Sequence, residues 1–509
     1  MAKVRIDTGG LISQNAVRGS GGRFDGMTTR SCGWPPGHVP VSGLPPRLWM
    51  RRDAVALRHT TACEVIVLAS RKGFRGRFKI QLRLVNYGIR SLIRTDSPMP
   101  EHARYPFFAD NIQFWYEAKR AFGASSYGAS EFGEVMATII RITSGDNDSW
   151  YKEWNDTGER VFVEAEAQCA AGHRISARDS YLRATTYFRT SEFFLHRNPN
   201  DPRIDSAYKK SIKAYKSCCA LYDPPILPVE IPYENTTLPG YFHRVDDSDT
   251  RRPLFVMHSG FDGSAEELHG EGARAGVERG YNVLTFDGPG QYGPIHRERL
   301  PFRPDWEKVV TPVVDFVLNL RGVDAEKIAL MGVSLGGYLA PRAAAFEERI
   351  AALIANDGVY DYGVANLGGP IPAGQRAAAE ASLLAKEAPE IDRKLEGMMK
   401  GSPTASWALT HGMFVTGTSS PRAYVAATLG YHLRDGIAEK ISCPTLVLDA
   451  EEDMFFKGQP EELYDHLTCP RTLMRFTAAE GAGAHCQVGA HRLAFARIYD
   501  WLDETLRLA

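Results

Sequence analysis

No apolar run in this 509-residue chain approaches the ~20 residues that cross a bilayer, so a membrane-spanning helix is not expected. Cysteine is scarce as well: eight residues, none in a C-x-x-C pair or in a His/Cys cluster at ligand spacing. That excludes a disulfide framework and a structural zinc site, and a reduced cytoplasmic setting is expected. Charge is nearly cancelled, at −1 overall, which argues against a generic binder of nucleic acid or of a membrane surface as partner. The first residues lack the basic region followed by an apolar core of a secretory signal, and there are no internal repeats.

What is present divides by composition. Residues 1–97 hold 17 Lys/Arg against 5 Asp/Glu and are rich in Arg, Gly and Pro. They are expected to form a basic, low-order N-terminal extension, with 62–70 and 78–84 the stretches suited to short strands. From 98 to 225 apolar residues recur at three- and four-residue intervals, predicting helices over 112–120, 131–142, 149–171, 177–194 and 206–219. This helical cap is aromatic, and most of its rings are expected in its core. At Leu227 the period drops to two: 227–233 and 238–245 read as a hairpin. Strands and helices then alternate through 226–509, which predicts an α/β fold, a mostly parallel sheet with helices on both faces in the α/β-hydrolase manner. Nearly ninety residues separate the strand ending at Asn356 from the one starting at Thr445, so 358–440 is read as a helical insertion near the site.

The chemistry centres on Gly332-Val333-Ser334-Leu335-Gly336, a G-x-S-x-G match between a buried strand and a helix. A nucleophile on so sharp a turn needs small neighbours, because strand and helix crowd it. A serine hydroxyl also needs a base, itself oriented by a carboxylate, and in this fold the order is Ser, acid, His. Asp453 is the favoured acid among Asp449, Glu451, Glu452 and Asp453, which follow the strand at 445–448. Of His466, His485 and His491, only His485 lies in a loop after the last strand, so it is the expected base. The oxyanion hole is expected from the N–H of Leu335 with that of Gly260 or Phe261. Asp287, Gln291 and Asp357 are candidate substrate contacts, with turn stabilisation or helix capping the plainer role for each. No metal or organic cofactor is required by such chemistry.

The strings at 258–267, 286–291, 332–345 and 480–486 closely resemble one branch of the α/β-hydrolase superfamily, which has a helical N-terminal cap. That branch includes 2,6-dihydroxypseudooxynicotine hydrolase and the fungal hydrolases that shorten polyketide pigment precursors. The resemblance covers roughly 105–505. It implies a triad of Ser334, Asp453 and His485, a homodimer, and hydrolysis of a carbon–carbon bond beside a ketone on an aromatic or polyketide substrate. An esterase or acyl-peptide hydrolase would use the same triad. A non-catalytic binding protein on this fold would instead show a broken triad.

Overall fold

The computed structural model of the chain describes residues 55–57, 65–67, 106–366 and 375–508. The chain divides into two units, Met1–Pro98 and Met99–Ala509. In the first, β1 (Val55–Leu57) and β2 (Val65–Val67) pair antiparallel. The rest of what was expected for 1–97 lies outside the described residues.

The second unit begins with five helices: α1 (Ile112–Gly123), α2 (Phe132–Ile139), α3 (Asn147–Ala170), α4 (Arg174–Glu192) and α5 (Pro202–Ala220). Their starts are written in the sequence. Asn111 caps α1 by accepting the Phe114 N–H, Asp146 caps α3 through the N–H groups of Asp148 and Ser149, and Asp201 with Pro202 starts α5. The aromatic stripes meet inside: Phe114, Trp150, Trp154, Tyr187, Phe188 and Phe194 form one core. Trp150 donates its indole N–H to the Thr190 carbonyl at 2.8 Å, so this buried ring is satisfied as well as packed.

The main sheet comprises β3 (Leu227–Tyr233), β4 (Thr236–His243), β5 (Arg252–His258), β6 (Asn282–Phe286), β7 (Val323–Val333), β8 (Ala352–Asn356), β9 (Thr445–Ala450) and β10 (Arg471–Phe476). Their spatial order is β10-β9-β8-β7-β5-β6-β4-β3. The hairpin β3–β4 and the β4–β6 pair are antiparallel, and every other pair is parallel. β6 and β8 are buried along their whole length, as strands covered on both faces must be.

Helices cover both faces. On one side lie α8 (Glu307–Val317), α9 (Gly336–Ala344) and α15 (Gln459–His466); on the other lie α6 (Ala273–Glu278) and α16 (His491–Thr505). The short α7 (Tyr292–Arg297) follows β6. Between β8 and β9 come α10 (Tyr362–Asn366), α11 (Arg376–Leu384), α12 (Pro389–Gly401), α13 (Pro403–Thr416) and α14 (Pro421–Thr428). Periodicity predicts one helix over 265–278, but the stretch forms a 3-10 turn at Glu267–His269 and an α-helix only over Ala273–Glu278. Gly272 interrupts it at φ 127°, where a Cβ would sit 2.3 Å from the Phe495 ring. Among the described residues, no helix is long and apolar enough to cross a membrane.

Candidate active site

Ser334 stands at the carboxyl end of β7, one residue past the strand and two before α9, with φ 62°. A non-glycine residue in that region is strained, and the surroundings hold it there. Its N–H donates to the Asn356 carbonyl at the end of β8, and its carbonyl accepts the Gly337 N–H at 2.7 Å. The flanking glycines have no alternative. A Cβ on Gly332 would lie 2.0 Å from the Gly336 oxygen, one on Gly336 2.8 Å from the Ser259 oxygen, and one on Gly337 1.9 Å from the Asp357 oxygen.

Parallel strands end on one edge of the sheet, which is where loops converge on a site. The turn after β10 brings His485 so that its Nε2 is 2.9 Å from Ser334 Oγ. His485 Nδ1 donates to Asp453 Oδ2, also at 2.9 Å. Asp453 is fixed in turn by the N–H groups of Phe455 and Phe456, which reach its other oxygen at 2.7 and 3.1 Å. Burial disfavours charge on both partners. The imidazole nevertheless outweighs it at Asp453, whose pKa falls to about 2, and the Asp453 carboxylate helps hold that of His485 well above the ordinary 6.5. Asp453 therefore stays ionised across the neutral range.

Gly260 packs directly on the elbow: a Cβ there would come 2.5 Å from the Val333 oxygen and 2.6 Å from the Leu335 nitrogen. The two backbone segments expected to form an oxyanion hole are thus in contact. Phe261 turns its ring into the cavity beside Ser334, and its carbonyl faces His411 Nε2 at 3.1 Å.

Three residues read as candidate substrate contacts sit elsewhere. Asp287 is buried and accepts the Gly293 N–H at 2.9 Å; Gln291 accepts the Gly288 N–H at 2.7 Å and donates to the Ser259 carbonyl. Neither lines the cavity, and both brace the turn after β6 against the oxyanion loop. Asp357 does not line it either: its carboxylate accepts the Cys486 N–H at 2.7 Å and the Gln487 amide at 3.1 Å, and lies 2.9 Å from His485 Nδ1. Burial, then the Asp453 charge, pushes its pKa up to about 6.

The cavity over Ser334 has a volume of about 260 Å³. Much of its wall is aromatic: Phe193, Phe261, Tyr362, Trp407, Phe455 and Phe456. Trp407 stacks on Phe193 with centroids 4.5 Å apart and donates to that residue's carbonyl at 2.8 Å, pinning α13 to the cap. Another wall is polar. Arg120 reaches Asp262 and Glu267 at 3.1 Å, Glu117 at 3.6 Å and Glu271 at 3.8 Å. Four carboxyls crowd one guanidinium, and burial pushes the pKa of Glu117 up to about 8 and of Glu271 to about 7. At neutral pH Glu117 is therefore a hydrogen-bond donor as well as an acceptor.

Sequence reasoning missed this wall and the position of Asp357 on the histidine. A signal for the wall existed: Gln113, Tyr116, Glu117 and Arg120 repeat at helical spacing on α1, and all four line the cavity. Asp357, His485 and Cys486 also bring ligand-type atoms within 4.8 Å of one another. As a metal set they fit poorly, since His485 already bonds Asp453 and burial pushes the Cys486 thiol up to about 12.

Residues 238–498 match the alpha/beta hydrolase family. Hydrolase LUC6 of a Fusarium species is 33% identical over 416 residues, spanning 77% of this chain and 96% of that protein. The chain belongs to the alpha/beta hydrolase family. The hydrolase is also 32% identical over 415 residues to 20-hydroxy-prefusarin hydrolase FUS2 of Gibberella moniliformis, covering 78% of this chain and 97% of that one. Its fold is similar to that of 2,6-dihydroxy-pseudo-oxynicotine hydrolase, with a TM-score of 0.57 at 22% identity over 75% of this chain and 95% of that one. The hydrolase therefore sits in a branch that includes fungal hydrolases.

Proposed function

We propose that the protein is a serine hydrolase that cleaves a carbon–carbon bond beside a ketone in an aromatic or polyketide-type substrate through an acyl-enzyme. The observation that carries the reading is the Ser334 hydroxyl, 2.9 Å from His485 Nε2 on the floor of an aromatic cavity with one polar wall. The resemblance to the polyketide-shortening branch supports the substrate class, and so does the relative whose name specifies 20-hydroxy-prefusarin.

In this mechanism Ser334 Oγ attacks the ketone carbon while its proton passes to His485 Nε2, and Asp453 stabilises the imidazolium at Nδ1. The carbonyl oxygen becomes an oxyanion facing the Leu335 N–H and the Gly260–Phe261 backbone. Its collapse breaks the bond to the neighbouring carbon. The departing electron pair must be delocalised onto a second carbonyl or a hydroxyaromatic ring, and the imidazolium returns the proton to it. Water, deprotonated by His485, then attacks the acyl-enzyme and releases a carboxylic acid and Ser334. The aromatic walls suit a ring or conjugated chain. Arg120 and the protonated Glu117 suit oxygen substituents on it.

The test compares the enzyme with Ser334→Ala on an aryl β-diketone and on a p-nitrophenyl ester, with products identified by mass spectrometry. Serine-dependent release of an acid and a methyl ketone from the diketone is expected, at a rate exceeding ester turnover. Rapid ester hydrolysis with the diketone untouched would instead make the protein an esterase with an aromatic cap.

A further inference from the structure

The imidazole facing Ser334 is reached by a second carboxylate. Asp453 takes the aligned hydrogen bond from His485 Nδ1, while Asp357 Oδ2 stands 2.9 Å from the same nitrogen. The two arrive on different strands: Asp357 directly follows β8, and Asp453 lies in the loop after β9. Asp357 has no solvent exposure and no wall of the cavity to form. A buried carboxylate left without a compensating charge is strongly destabilising. The Cys486 N–H and the Gln487 side-chain amide, which also donate to Asp357, are neutral. Both belong to the turn that carries His485, where Cys486 and Gln487 each have φ 53°. Asp357 therefore holds the strained turn with two contacts and faces the imidazole with the third.

We propose that Asp357 is a second positioning carboxylate for His485, sharing the Nδ1 proton with Asp453 and replacing it as acceptor when Asp453 is neutralised. The inference rests on the serine-nucleophile reading above. As Ser334 gives its proton to Nε2, the Nδ1 proton stays where it is and the imidazolium lies between two carboxylates instead of against one. At neutral pH Asp357 is mainly ionised, since its raised value of about 6 lies below 7. A single-acid triad has no such reserve.

The experiment is a double-mutant cycle read by the rate at which a fluorophosphonate phosphonylates Ser334, with release of fluoride, in the full chain. Wild type, Asp453→Asn, Asp357→Asn and the double variant are compared by intact mass. In parallel, proton NMR follows the far-downfield resonance of the His485 Nδ1–H. Where one carboxylate alone holds the histidine, removing its charge costs about 10⁴-fold. Here Asp453→Asn should lose only about ten- to a hundredfold and Asp357→Asn less than about tenfold, with the double variant falling about 10⁴-fold, because each acid covers for the other. The downfield resonance should persist in both single variants and vanish in the double one. Thermal melting checks that each variant folds, and Asp357→Ser, which makes room for water, replaces Asp357→Asn in the cycle if the latter does not. The proposal is overturned if Asp453→Asn alone falls to the rate of the double variant and loses the resonance, with Asp357→Asn reacting like wild type. A wild type that never acquires the adduct would remove the serine reading itself, a result separate from either.

Discussion

At the scale of single residues, the site depends on one proton and a few forced backbone positions. His485 must be neutral to accept the Ser334 proton, yet its pKa is held well above 6.5, because the Asp453 charge, with Asp357 on the same nitrogen, outweighs burial. The sign follows directly: the reactive form gains population as pH rises through that elevated value. Phosphonylation of Ser334 is therefore expected to climb through the neutral range, with its midpoint above 6.5. Neutralising the acid in Asp453→Asn should move the midpoint down while slowing the reaction. A midpoint below the ordinary imidazole value would contradict this electrostatic picture. Gly260→Ala tests the elbow contact. Its methyl group would meet the Val333 oxygen at 2.5 Å and the Leu335 nitrogen at 2.6 Å, so the oxyanion loop must move away. Loss of one oxyanion donor costs about 10²–10³ in kcat, and that is the expected fall, with KM little changed. Steady-state kinetics on an ester decides it.

Among the elements, α13 ties the cap to the oxyanion loop. His411 on this helix faces the Phe261 carbonyl through Nε2 at 3.1 Å and meets His196 Nδ1 through its own Nδ1 at 3.0 Å; His196 contacts Glu192 at the end of α4. Burial pushes the His411 pKa down to about 3, so the ring is neutral and gives its one N–H to Phe261. His411→Phe would keep the packing against Trp407 but leave the Phe261 carbonyl and His196 Nδ1 without the partner His411 supplies. The expected cost is about 1–3 kcal/mol of stability, read by denaturant melts, together with a lower kcat. Unchanged stability would show that water replaces the ring.

The same scale explains what sequence could reveal. The elbow and His485 were legible because the turn is local and the order of nucleophile, acid and base accompanies the fold. Helix faces were legible too, through Trp150, Trp154 and Phe188, whose spacing matches their burial. What each polar face meets was not. Asp357 in Asn356-Asp357-Gly358 looks like any strand-end turn, and its contact with a histidine more than a hundred residues later exists only after the sheet forms. Asp287 and Gln291 lay beside the right loop, but periodicity gives no direction for a side chain at a turn.

At the scale of the molecule, every described residue of the proposed site lies between Ile112 and Val488, within the unit Met99–Ala509. A chain starting at Met99 is therefore expected to fold and to react at Ser334 at the rate of the full chain. Phosphonate labelling compares the two, and loss of labelling would give residues 1–98 a role in the site. The cap and the insertion meet over the serine through Phe193 and Trp407, so substrate choice belongs to the assembled unit more than to any element. In the proposed reaction Ser334 takes the acyl half of a cleaved ketone. Its most direct test mixes the enzyme with an aryl β-diketone, quenches in acid within the first turnover, and maps the modified peptide by mass spectrometry. An acyl group on Ser334 is expected, absent from Ser334→Ala, with one equivalent of ketone released. Diketone cleaved at full rate with Ser334 unmodified and Ser334→Ala still active would contradict it.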